Sequence, residues 1–324
     1  MATSGSSNFN VTRNELIRDA ALDLGAIAAG VTMGSQMLTD FARTLNGIVK
    51  AWAADGIKVW TVSEATLFPA VDTVKYLLAG TSAATAHVTG TYYETSLSAA
   101  EASSQTTLSV TSSANMTVSD NIGIVLDDGT LHWTTISSIP DSTSVTIASA
   151  ITDTAASGNA VFNYTSKIGR PLRIVDARVY NIDDATDTPI EIISRQEYNA
   201  LPRKTSSGNI SQIFYDRQLT NGFLYLWQPL DAITDLIKFT YHRTIEDFDS
   251  AGDNPDLPQE FYLALRFALA EAMSATYPCS EARMLRIATN AEKYLWAVKG
   301  SGEDQESIFV QPDDEGGGYF GNSW

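Results

Sequence analysis

Apolar positions at both ends of the chain recur at helical spacing. Leu16, Ile17, Ala20, Ala21 and Leu24 share one stripe, and Gly25 follows as a left-handed stop. Thr12 and Glu15 stand at capping-box spacing, with Val11 and Leu16 placed as a hydrophobic staple. A second stripe runs Met37, Phe41, Leu45, Ile48, Val49 and Trp52, with Asp40, Arg43, Asn46 and Lys50 turned elsewhere, and Asp55-Gly56 ends it. Near the other end, Pro258 suits a first helical position, and Phe261, Leu265, Ala268, Leu269, Ala272 and Met273 form a third stripe that Pro278 closes. Ser280 can cap a fourth helix whose buried side carries Met284, Ile287, Ala288, Ala291, Leu295 and Val298.

Between these ends the pattern shortens to strands. Thr107–Val110, Ile122–Leu126, Trp133–Ile136, Val145–Ile147 and Ala160–Tyr164 are β-branched runs separated by turn signals at Asp127-Asp128-Gly129, Pro140-Asp141-Ser142 and Ser157-Gly158-Asn159. They predict a small antiparallel barrel or sandwich. A second β region has strands near Leu172–Tyr180, Ile190–Ile193, Ile210–Tyr215, Phe223–Trp227 and Leu236–Tyr241, with a hairpin signal at Asn221-Gly222. Ser194 and Glu197 offer another capping box, for a short helix at Ser194–Leu201.

Each helical stripe needs cover, at about 1.5–3 kcal/mol per large side chain buried, and the four helices most simply cover one another. The expected fold class is therefore α+β: a helical bundle formed by the N- and C-terminal helices, with antiparallel β modules inserted. The expected domains are 1–68 plus 255–300 (helical), 69–168 (β barrel or sandwich), 169–254 (second β domain) and 301–324 (flexible tail).

Composition narrows the function. Thirty-eight acidic and 21 basic residues give a net charge of −17, a field that repels nucleic acid and argues against sequence-specific DNA binding. An acidic channel wall, by contrast, lets a duplex slide past without gripping it. No lysine or arginine lies between Lys75 and Lys167, which sets that stretch apart as a module. Cys279 is the single cysteine, so no internal disulfide or multi-cysteine zinc site is expected. His87, His132 and His242 are scattered, and Asp127-Asp128-Gly129 lacks the calcium-loop register. No metal and no cofactor is expected. No run approaches the ~18 apolar residues of a membrane span, and the polar start lacks a signal segment, so a soluble cytosolic product is expected.

The tail after Gly300 carries six acids and no base. Ile308, Phe309, Val310, Tyr319, Phe320 and Trp324 stand in it as candidate anchors for a partner, separated by flexible spacers.

A family resemblance joins these features. The run from Leu16 to Gly25, then Leu45-Asn46-Gly47-Ile48-Val49-Lys50-Ala51-Trp52 and Asp55-Gly56, resembles the start of the head-to-tail adaptor (packaged-DNA stabilisation) proteins of short-tailed bacteriophages. Arg170-Pro171-Leu172-Arg173-Ile174, Gly222–Pro229 and Leu257-Pro258-Gln259-Glu260-Phe261 are similar to the longer members. The resemblance implies a structural virion protein: a dodecameric ring beneath the portal that extends the DNA channel and joins head to tail. Its implied partners are further copies of itself, the portal protein, a tail nozzle or tube, a tail fibre or spike, and passing double-stranded DNA. No membrane is involved, and the implied location is the head-to-tail interface of the virion, after synthesis in the host cytoplasm. The terminal anchors would then dock on the portal. The basic-free module exceeds what the shorter members carry.

Two other classes are open. A receptor-binding or adhesin-like β protein would use Tyr92, Tyr93 and Trp133 to stack on glycans. A tail-associated hydrolase would need a carboxylate pair such as Asp19 with Asp23 or Glu260 with Glu271, but no nucleophile, base and orienting partner come together in the sequence. The expectation is a protein that is not an enzyme.

Overall fold

The computed structural model describes residues 9–54, 61–79, 86–219, 221–230 and 233–301. The chain divides into two compact units, Met1–Ile57 with Asp247–Trp324, and Lys58–Glu246. In order, the elements begin α1 (Arg13–Leu24), α2 (Ser35–Ala54), β1 (Val62–Phe68), β2 (Lys75–Ala79), β3 (His87–Thr89), β4 (Tyr93–Ser96) and β5 (Thr107–Ser109). There follow β6 (Asn121–Val125), β7 (Leu131–Asp141), β8 (Ser144–Ile147), β9 (Ala160–Tyr164), β10 (Arg173–Asn181), β11 (Asp187–Pro189) and β12 (Glu191–Ile192). The chain continues through α3 (Arg195–Ala200), β13 (Gln212–Arg217), β14 (Gly222–Trp227) and β15 (Asp235–His242), then α4 (Tyr262–Met273) and α5 (Glu281–Ser301).

The expected helical bundle with inserted β modules is overturned. Among the described residues the protein is mostly β, with fifteen strands in three sheets against five α-helices. The amphipathic stripes lie at the two ends of the chain, whereas the longer middle is built from short strands whose partners are far away in sequence. A local stripe announces itself more strongly than a strand that needs a distant neighbour.

Two sheets share one core. The five-stranded sheet runs β11-β10-β15-β1-β3 and the four-stranded sheet β12-β13-β14-β2. Leu67, Leu78, Val88, Ile213, Leu224, Ile237 and Phe239 meet in the apolar cluster that both contribute to. Alternation places them there: along β14, Gly222, Leu224 and Leu226 are buried while the residues between are half-buried. β1 lies within the segment expected to belong with the helices, yet it pairs antiparallel with β15, Ala65 opposite Phe239. β2 pairs with β14, Tyr76 opposite Leu224. Strands on either side of the expected boundary at 168 thus share sheets.

The third sheet has the order β4-β9-β6-β7-β8-β5. Its edge strands meet at the Leu97–Val110 bridge, where the Ser98 amide donates to the Ser109 carbonyl (2.9 Å) and the Thr111 amide to that of Ser96 (2.8 Å). The sheet therefore curls around Leu97, Leu108, Ile122, Ile124, Val145 and Val161. Asp127-Asp128-Gly129 is the turn between β6 and β7: the Asp128 carboxylate accepts from the Thr130 amide (2.9 Å) and hydroxyl (2.6 Å).

In the helical unit α4 packs against α1, α2 and α5. Leu16, Ile17, Leu24, Phe41, Leu45, Trp52, Phe261, Leu265, Leu269, Met273 and Ile287 are buried, and Ile48 and Leu295 are half-buried. Both capping boxes form: Glu15 accepts from the Thr12 amide (2.9 Å) and Glu197 from the Ser194 amide (2.7 Å). These backbone bonds to the ionised form hold both carboxyl groups below the usual glutamate range.

Candidate interaction surface

On α4, Tyr262 and Arg266 lie one turn apart, and on α1 so do Asp19 and Asp23, which lets the two pairs meet. Arg266 donates from Nε to Asp23 Oδ2 (2.6 Å) and from Nη2 to Asp23 Oδ1 (2.9 Å), a bidentate fork. Its Nη1 stands 3.9 Å from Asp19, which also accepts from the Tyr262 hydroxyl. Burial first, and the bond to Asp19 second, push the Tyr262 hydroxyl up to about 12. Asp19 and Asp23, named above as a carboxylate pair that a hydrolase would need, are the anchoring points of α4.

The C-terminus of α1 is closed by Arg283 of α5. Gly25 adopts φ 78°, and the Arg283 guanidinium occupies the space a side chain would take there while donating to the Leu24 carbonyl (3.3 Å). A cation at that end also complements the helix dipole.

Among the described residues, the opposite side of α5 is uncovered. Ile287, Ala291 and Val298 define its buried line. Leu285, Thr289, Glu292 and Trp296 follow a four-three-four spacing along one outward face. Leu285 is 68% exposed and Trp296 78%. Met284, expected on the buried side, is also exposed. Arg286 and Lys293 stand exposed beside this face. Leu285 and Trp296 stand eleven positions apart on this face, with Thr289 and Glu292 between them.

The other candidates disperse. Glu260 and Glu271 are exposed and eleven positions apart, about 16 Å at 1.5 Å per residue, too far for a cooperating carboxylate pair. His132 faces the Ser149 carbonyl at 3.4 Å and His242 the Thr61 hydroxyl at 3.1 Å. His87 stacks on Trp133 (centroids 3.9 Å apart) and bonds the Tyr164 hydroxyl at 2.6 Å. Burial, with Lys167 nearby, depresses its imidazole to about 3. Trp133 also packs over Gly123, so it is not free to stack on a glycan. Tyr92 packs edge-on against Phe68. Tyr93 alone of that trio is exposed, beside a cleft of ≈ 340 Å³ with Thr89, Thr91, Ser166 and Lys167. Cys279 is half-buried just ahead of α5.

Among the described residues no cluster of His, Cys, Asp and Glu is placed to hold a metal, and no helix is long and apolar enough to cross a membrane. The candidate anchors Ile308, Phe309, Val310, Tyr319, Phe320 and Trp324 lie outside the described residues. Sequence reasoning missed Arg266, Tyr262 and Arg283, which carry no motif. Trp296 did leave a signal, since it falls off the helix's buried stripe.

No protein-family model matches the chain, and no curated protein matches its sequence.

Proposed function

We propose that the protein is a structural component of a tailed-phage virion that assembles side by side through its helical unit into a ring. The single observation that carries this reading is the outward face of α5, where, among the described residues, Leu285 and Trp296 are left mostly exposed. Burying the two in a contact between copies removes a standing hydrophobic cost of about 1.5–3 kcal/mol for each side chain. The sequence resemblance supplies the setting: a ring, taken as dodecameric, beneath the portal, continuing the DNA channel toward a nozzle or tail tube and a fibre or spike. The net charge of −17 suits a wall past which DNA slides without being held. The test is the particle mass of the protein alone and mixed with portal rings. Monomers under both conditions refute the reading; a discrete multimer on the portal supports it.

A second reading, a tail receptor-binding protein, draws on the predominance of strands and on the exposed Tyr93 beside its cleft. Tight, specific binding on a glycan array that Tyr93→Ala abolishes would favour it over the ring.

A further inference from the structure

Arg173 on β10 and Arg217 on β13 border one cleft of ≈ 350 Å³. β10 belongs to the five-stranded sheet and β13 to the four-stranded one, so the cleft opens where the two sheets meet. Arg217 donates to the Leu172 carbonyl (3.2 Å), and the neighbouring Arg170 donates to the Gln218 carbonyl (3.4 Å). Among the described residues none of the three guanidiniums has a carboxylate within ion-pair distance. Asp216, between Tyr215 and Arg217, points to the other face of β13, where Arg195 pairs with it. In a chain with 38 acids and 21 bases, three neighbouring arginines, two of them bonded to main-chain carbonyls and the third, Arg173, exposed, are a local reversal of charge.

The rest of the cleft is aliphatic. Ile174, Val175, Ile192 and Ile193 form its walls, and Val175 is 46% exposed. The Tyr215 hydroxyl is already committed to the Pro171 carbonyl (2.6 Å). β12, which supplies Ile192, is the outermost strand of its sheet, but it is two residues long and the Ile190 amide just before it donates to the Ala177 carbonyl of β10 (3.0 Å), so side chains rather than an added strand would hold a ligand. Cations and an aliphatic wall together describe a ligand with carboxylates and an apolar side chain. A nucleic-acid strand fits less well, because Tyr215 is the one aromatic side chain among the described lining residues and its hydroxyl is held by the Pro171 carbonyl.

We infer that this cleft is a docking site for an acidic peptide segment of a partner protein, with carboxylates on Arg173 and Arg217 and an aliphatic or aromatic side chain against Val175 and Ile192. The cleft has these properties whether or not the chain forms a ring.

The experiment titrates the full chain into a fluorescently labelled, acetylated peptide of sequence Asp-Glu-Asp-Ser-Ile-Phe-Val and reads anisotropy at low salt. Controls are the same peptide with Asn and Gln for its acids, one with Ser for Ile-Phe-Val, and a 20-base-pair DNA duplex. Expected is saturable binding, weakened at least tenfold by the doubly substituted Arg173→Glu, Arg217→Glu protein and by either altered peptide. Val175→Asp, at a position 46% exposed on β10 and checked for an unchanged melt, should weaken it by a similar factor. The inference is overturned if the wild-type chain does not bind the acidic peptide, if the amide peptide binds equally, or if Val175→Asp binds unchanged. Arginine-dependent binding of the duplex in preference to the peptide overturns it in favour of nucleic acid.

Discussion

Arg266 grips Asp23 with two parallel hydrogen bonds across 243 positions of sequence, and that fork ties the last third of the chain to its first helix. Both side chains are mostly shielded from water, so their attraction is less screened than that of a surface pair. Arg266→Ala alone strands the Asp23 carboxylate, whereas Asp23→Ala leaves Arg266 only the more distant Asp19 (3.9 Å); each is expected to cost about 1–3 kcal/mol. In the double variant the losses should not add, with a coupling of about 0.5–3 kcal/mol. Urea denaturation of the four proteins measures it, and strict additivity would mean the fork contributes nothing.

Gly25→Ala should destabilise the helical unit. The residue holds φ 78°, where an alanine is disfavoured by about 1 kcal/mol, and its new methyl group would displace the Arg283 guanidinium from the Leu24 carbonyl. A total near 2 kcal/mol is expected in denaturant melts, and a change under 0.5 kcal/mol, the range of an ordinary surface substitution, would contradict it.

His87 gives the β unit a sensitivity to acid. Its imidazole titrates at about 3 in the folded chain, against 6.5 ordinarily. Between those values the unfolded chain binds a proton that the folded one refuses. Its contribution is therefore complete above pH 6.5 and is lost as pH falls toward 3, by up to about 1.4 kcal/mol per pH unit. Replacing it with phenylalanine, which keeps a ring against Trp133, should flatten this dependence. Melts of both proteins at pH 7 and pH 5 check it: equal losses would mean the histidine is not the group responsible.

Leu285→Ser with Trp296→Ser should leave the isolated chain's stability within about 0.5 kcal/mol, because both side chains are mostly exposed among the described residues. The same change should abolish assembly, read as native mass. A doubly substituted protein that assembles normally would show that this face is not the contact between copies.

Helix positions were legible because stripes and caps are local. Thr12 with Glu15, and Ser194 with Glu197, announce helix starts within four residues, and both boxes are made. Strands such as β10, β13, β14 and β15 were legible from their alternation and turn signals. β1, β2 and β3 were not, since Val62 has to meet His242 before its run means anything. The weight of β over helix was misjudged for the same reason. Of the interaction surface, Trp296 stood off its stripe in plain view, while the partner of Asp19 and Asp23 did not, because Arg266 lies 243 positions beyond Asp23. The arginines of the β cleft come from separate strands, and only the stacking of two sheets brings them together.

The pairing of β1 with β15 sets a schedule on the ribosome. About 180 residues must be added after Val62 before His242 can lie beside it, roughly 10–40 s at ordinary translation rates. Through that interval the strand waits with its hydrogen-bonding edge and its apolar face uncovered, and α1 waits longer still for Arg266. The nascent chain is thus most vulnerable to aggregation before its final helices emerge, and a truncated product ending short of β15 would be expected to need chaperone capture.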